Sequence, residues 1–188
     1  EMAGMGEETR AITDGQVDIE MRSIVGLPPR QTPLMDEQIE YIVANPNWYV
    51  PTSILVRDKL DHIREDTAYL EERGYKVLDR NTGQPLSAET IDWTSDEVAA
   101  QVRLVQEPGA NNALGELKIM FPNRHAVYLH GTPGETLFER DQRAFSSGCI
   151  RLEDPQAMAA WVVEAVSGHD AEALIASAVQ SGENQRID

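Results

Sequence analysis

Hydrophobic positions recur with two different periods along this chain, and the change of period divides it. "QVDIEMRSIVG", residues 16–26, alternates in part, is rich in Val and Ile, and stops at Gly26 with Pro28 and Pro29 behind it. That is the pattern of a strand closed by turn residues. "QIEYIVANP", residues 38–46, is a second such run, ended by Asn45 and Pro46. The proline-rich "LPPRQTPLMDE" joins the two, and a pair of neighbouring antiparallel strands is expected. Near Arg57 the period turns helical: Ile54, Leu55, Leu60, Ile63 and Leu70 stand at roughly helical spacing, and Gly74 is placed as a closing glycine. "YKVLDRNTGQPL" then reads as a short strand and turn, and "SAETIDWTSDEVAAQVRLVQEPG" is mixed and acidic. Residues 57–110 interrupt an otherwise β-rich pattern and read as an insertion, either a decorating subdomain or a lid over a site.

Strand patterning returns in "ELKIMFP" and "RHAVYLHG", the second placing Ala126, Tyr128 and His130 on one face. A loop of 18 residues, 131–148, then leads to Cys149; loops that long in a compact domain are usually functional or disordered. After it, "EDPQAMAAWVVEAVSG" predicts a helix with Asp154 as N-cap, Pro155 in the first turn and Gly168 at the end. "DAEALIASAVQSG" predicts a second, capped by Asp170 and closed by Gly182. The expected fold class is α+β, mainly β, in one domain of 188 residues, enough to bury a core.

Charge narrows the partners. Sixteen basic against 32 acidic residues give a net −16, a surface that repels phosphate backbones and anionic lipid, so neither a nucleic acid nor a membrane is expected as a partner. No apolar run approaches the length of a membrane span. "EMAGMGEETR" lacks the apolar segment of a signal peptide, and a start at Glu1 suits a processed fragment whose targeting signal was removed.

The single cysteine, Cys149, follows Ser146, Ser147 and Gly148 in "RAFSSGCIRL", small residues that suit a tight turn better than a packed core. A thiol becomes a nucleophile with a base beside it, a positive field around it, or both. His62, His125 and His169 read as surface residues; His130 ends a strand where it hands over to "GTPG", a place where sites are built, with a structural role also open to it. From Lys118 to Arg151 the chain carries five bases (Lys118, Arg124, Arg140, Arg143, Arg151) and three acids, a net +2 that leaves −18 for the rest. That local field suits a thiolate and an anionic substrate group.

"YLHGTP" and "LFERDQRAFSSGCIRL" closely resemble the active-site segment of L,D-transpeptidases, the YkuD-type domain: His130 and Cys149 stand 19 apart, and Ser147-Gly148-Cys149-Ile150-Arg151 completes the pattern. "EMRSIVGLPPRQTPLM", "NPNWYVPTSI" and "NALGELKIMFPN" are similar to the YcbB-like branch, which carries a lid-like insertion, and the resemblance spans about residues 15–180. It implies a β-sandwich or barrel-like catalytic domain with helices after Cys149 and an α-rich lid. Ser147 stands where many members have histidine, which leaves His130 as the base. Relatives continue into further strand where this chain ends at Asp188.

The implied chemistry is attack of Cys149 on the carbonyl of the third, diamino-acid residue of a peptidoglycan tetrapeptide stem. D-Ala departs and the acyl group passes to an amine of a second stem. Donor and acceptor stems are then the partners, and the setting is the periplasm or cell envelope. His130 takes the thiol proton, with the Gly131 carbonyl orienting its ring, and backbone N–H groups around Gly148 and Cys149 form the oxyanion hole. Arg151 binds a substrate carboxylate or braces the loop; Ser146 and Ser147 read as turn hydrogen-bonders, with Ser147 also a substrate contact; Tyr128 and Trp48 line the cleft or belong to the core. No cofactor or metal is expected. Hydrolysis or D-amino-acid exchange through the same thioester, a non-catalytic wall-binding module, and a cysteine protease with its usual order reversed are the alternatives.

Overall fold

A computed structural model describes residues 7–95 and 97–188. Among the described residues the chain divides into two compact units, one formed by residues 7–46 with 108–188 and a smaller one within 47–107.

The larger unit is built on an eight-stranded sheet. In chain order its strands are β1 (Glu8–Thr13), β2 (Gln16–Gly26), β3 (Tyr41–Ala44) and, beyond the β4–β7 of the smaller unit, β8 (Leu117–Met120), β9 (Leu129–His130), β10 (Ala144–Ser146), β11 (Ile150–Leu152) and β12 (Gln185–Ile187). They run β1-β2-β11-β9-β8-β3-β12, with β10 on β2. Two pairings are parallel, β9 with β11 and β10 with β2, and the others are antiparallel.

The β1–β2 hairpin turns at Asp14-Gly15, both at positive φ, the turn that matches strand twist. β2 is not the neighbour of β3: β11, β9 and β8 lie between them. Period-two alternation states that a segment is a strand and which face is buried; it carries no information on the partner, so the expected pairing fails on topology.

The "RHAVYLHG" strand is also shorter than its alternation suggests. Ala126 sits at φ 54°, and Asn123 knots the preceding turn. Its amide donates to the Phe121 and Val127 carbonyls, both at 2.7 Å, and its oxygen accepts from the N–H groups of His125 and Val127. A side chain that satisfies four backbone groups replaces the ladder there.

Two helices follow Cys149. The longer spans Pro155–Ser167, with Asp154 accepting from the Ala157 N–H at 2.9 Å and Gly168 in the left-handed region. The second spans Glu172–Gln180; Asp170 accepts from the Glu172 N–H at 3.0 Å, just outside the helix rather than as its cap residue. Their inner faces, with Met158, Ala159, Ile175 and Ala178, pack on Ile42, Leu117, Ile119, Leu129 and Leu152 of the sheet. The fold class is α+β.

The smaller unit carries an antiparallel sheet of order β4-β7-β5-β6, made from Trp48–Tyr49, Val102–Gln106, Tyr75–Asp79 and Pro85–Leu86. Four short helices accompany it: α1 (Thr52–Ile54), α2 (Leu60–Glu65), α3 (Ala68–Glu72) and α4 (Val98–Gln101). In these terms the helices after Cys149 are α5 and α6. A single π turn, Leu55–Lys59, links α1 to α2. Leu55, Leu60, Ile63 and Leu70 are buried as their spacing requires. The unit takes in β4, which lies ahead of the change of period at Arg57.

Candidate active site

Strand pairing assembles the site on the larger unit's sheet. Arg151 on β11 is the register partner of His130 on β9, and His130 in turn is the partner of Lys118 on β8. Register partners share a face, so Lys118, His130 and Arg151 form one row across three strands. Ile150 N–H bonds to the Tyr128 carbonyl at 3.1 Å, which sets Cys149 beside Tyr128 one step along the same face. The Tyr128 and His130 rings lie 5.6 Å apart, and Lys118 Nζ stands 4.0 Å from the Tyr128 ring centroid.

His130 is 5% exposed. Its Nδ1 lies 2.5 Å from the Gly131 carbonyl, so the N–H sits on Nδ1 and the Nε2 lone pair is left to act as an acceptor. Burial pushes its pKa down to about 3, with the charges of Arg151 and Lys118 acting the same way. The ring is therefore neutral at pH 7. Burial also raises the Cys149 thiol, while hydrogen bonds from Tyr128 and the charges of Lys118 and Arg151 draw it back. The resting pair is thiol and imidazole, not thiolate and imidazolium.

Lys118 and Arg151 are both lowered by burial. Arg151 Nε is buried with no hydrogen-bond partner among the described residues, and neither cation has a carboxylate within 4.0 Å among them. Two partly buried cations without a counter-ion are costly, and an arriving anion relieves that cost. Two other bases of the segment serve elsewhere. Arg143 bonds the carbonyls of Ser23, Glu7 and Arg140, and Arg124 bonds His125 in the Asn123 turn. Lys118 is the functional candidate that spacing alone could not single out; its place depends on register.

Ser146 is 2% exposed; its hydroxyl donates to the Cys149 carbonyl at 2.5 Å and accepts from the Gly148 N–H at 3.0 Å. It is a turn hydrogen-bonder. Ser147 is exposed and accepts from Arg30 at 2.8 Å. Gly148 has φ +122°, a region that excludes side chains. Its N–H is taken by Ser146, so the Cys149 N–H, which meets no acceptor among the described residues, is the backbone donor left for an oxyanion. Trp48 belongs to the smaller unit, where it is 8% exposed and packs against Tyr75 with ring centroids 6.2 Å apart.

The L,D-transpeptidase catalytic domain family, YkuD, matches residues 6–168. The chain is also 38% identical over 146 residues to a Haemophilus influenzae protein whose name gives it provisionally as an L,D-transpeptidase; the match covers 78% of this chain and 29% of that protein. The chain belongs to the L,D-transpeptidase catalytic domain family. It spans under a third of the length of the curated relative it matches.

Proposed function

We propose that this domain is a peptidoglycan L,D-transpeptidase that works through a thioester on Cys149. His130 Nε2 takes the thiol proton as Sγ attacks the carbonyl of the third residue of a tetrapeptide stem, forming the C–S bond. The oxyanion is held by the Cys149 N–H. When the intermediate collapses, the C–N bond to D-Ala breaks and the imidazolium returns its proton to the departing amine. An imidazolium between Lys118 and Arg151 is disfavoured, so the proton is held only briefly, which suits a shuttle. An amine from a second stem then attacks the thioester carbonyl and gives a proton to His130; the new C–N bond forms, the C–S bond breaks, and the imidazolium returns the proton to Sγ, restoring the thiol.

The observation that carries this reading is the row of Lys118, His130 and Arg151 with Cys149 beside Tyr128. It supplies a base with a fixed tautomer, a thiol, a backbone donor and two cations with no counter-ion. A stem peptide ends in a carboxylate one residue beyond the scissile carbonyl, and Arg151 with Lys118 is the complement to that charge. The domain then acts in the cell envelope, where its substrate lies; no helix among the described residues is long and apolar enough to cross a membrane.

The test is product analysis by mass spectrometry after incubation with a disaccharide-tetrapeptide, with and without an acceptor stem. Release of D-Ala with a crosslinked dimer is the expected result, and release with tripeptide alone assigns the second step to water. No D-Ala release from folded protein contradicts the reading.

A further inference from the structure

The segment after β2 has no part in the mechanism above, yet the nucleophile loop rests on it. Gly26 leaves no room for a side chain, since a Cβ there would stand 2.1 Å from the Arg30 carbonyl oxygen; the chain folds back tightly over it through the short turn at Pro28–Arg30. That fold-back places Thr32 between two backbones. Its hydroxyl accepts from the Gly26 N–H at 3.1 Å and donates to the Gly148 carbonyl at 2.9 Å. On either side, the Leu27 N–H bonds the Ser146 carbonyl at 3.0 Å and Arg30 bonds the Ser147 hydroxyl at 2.8 Å.

We infer that Thr32 is a positioning residue of acyl transfer, which fixes the Gly148–Cys149 peptide plane so that the Cys149 N–H is presented to the developing oxyanion. This rests on the acyl-transfer reading above. In a trans peptide the carbonyl and the N–H point in opposite directions, and the peptide here is trans. Anchoring the Gly148 oxygen on Thr32 therefore aims the Cys149 N–H away from that segment, where it meets no acceptor among the described residues. Gly148, at φ +122° and without a Cβ, has wide torsional freedom. The peptide that follows it needs an outside anchor to hold one orientation. The hydroxyl supplies it, with its own lone pair occupied by Gly26 so that the proton is directed at Gly148. A donor to an oxyanion is useful only if it is oriented before charge develops.

The experiment compares wild type, Thr32→Val and Thr32→Ser in two reactions of the same thiol. One is single-turnover acylation by a tetrapeptide donor; the other is alkylation by iodoacetamide, a displacement at carbon that builds no oxyanion. Thr32→Val should slow acylation about 10- to 100-fold, part of the effect of losing an oxyanion donor, with KM within about twofold and alkylation at the wild-type rate. Thr32→Ser should restore acylation. Thr32→Ala removes the same hydroxyl without adding a methyl group and must show the same split. Equal acylation by wild type and Thr32→Val overturns the inference, as does an equal loss in both reactions, which would make Thr32 a residue of loop order only. A wild-type protein that alkylates but never acylates overturns the acyl-transfer reading itself, a result distinct from both.

Discussion

His130 stands on β9 between β8 and β11 and bonds to the carbonyl of the next residue. Cys149 stands at the end of a loop whose hydrogen bonds reach back to Leu27, Arg30 and Thr32, more than a hundred residues earlier. The base is thus oriented by its own strand and the nucleophile by a distant segment; burial shifts both groups, and the neighbouring cations deepen the shift at His130 while opposing it at Cys149. The two halves should fail differently. Damage around His130 should change proton transfer and its pH dependence; damage around 26–32 should change oxyanion stabilisation and leave the thiol as reactive as before.

The largest expected effect is on the base itself. His130→Gln should reduce the acylation rate about 10³-fold, the usual share of a general base, while a folded protein still binds donor. Next comes the Thr32 split described above. Lys118→Met should lower kcat/KM for donor about tenfold, the value of one charge-assisted hydrogen bond. It should also slow iodoacetamide alkylation at pH 8, because the Lys118 charge draws the thiol pKa down. A donor ending in a carboxamide should lose less from that substitution than one ending in carboxylate.

The pH profile is a smaller effect with a clear sign. His130 is pushed down to about 3, so it stays in its neutral, proton-accepting form at every pH above that, and the thiol is raised, so it stays protonated through neutrality. Acylation should change by less than about twofold between pH 7.5 and 5.5 at saturating donor. A base with the ordinary histidine pKa of about 6.5 would lose close to tenfold over that range. Smallest of all, Ser147→Ala should leave kcat/KM within about twofold, since the side chain is exposed and only receives Arg30.

The same contrast explains what could be read from residue order. His130, Gly148, Cys149 and Arg151 lie within one local motif, and the capped helix Pro155–Ser167 is spelled by Asp154, Pro155 and Gly168. The helix caps are local and turn chemistry reports them, while the four site residues are singled out by the resemblance of their segment to a known family. Lys118 enters the site through register with His130, and Thr32 through a contact with Gly148 at a separation of 116 residues; neither has a local signature. The neighbouring placement of β2 and β3 fails for the same reason. The β1–β2 hairpin is different, because Asp14-Gly15 between two β-prone runs is a local turn signal that residue order carries outright.

The most direct test of the account is intact mass of the protein after seconds of exposure to a disaccharide-tetrapeptide, with peptide mapping of any adduct, beside Cys149→Ala. The account predicts a mass increase equal to the donor less D-Ala, mapped to Cys149 and absent from the variant. An adduct on another residue, or donor turnover by Cys149→Ala, would contradict it.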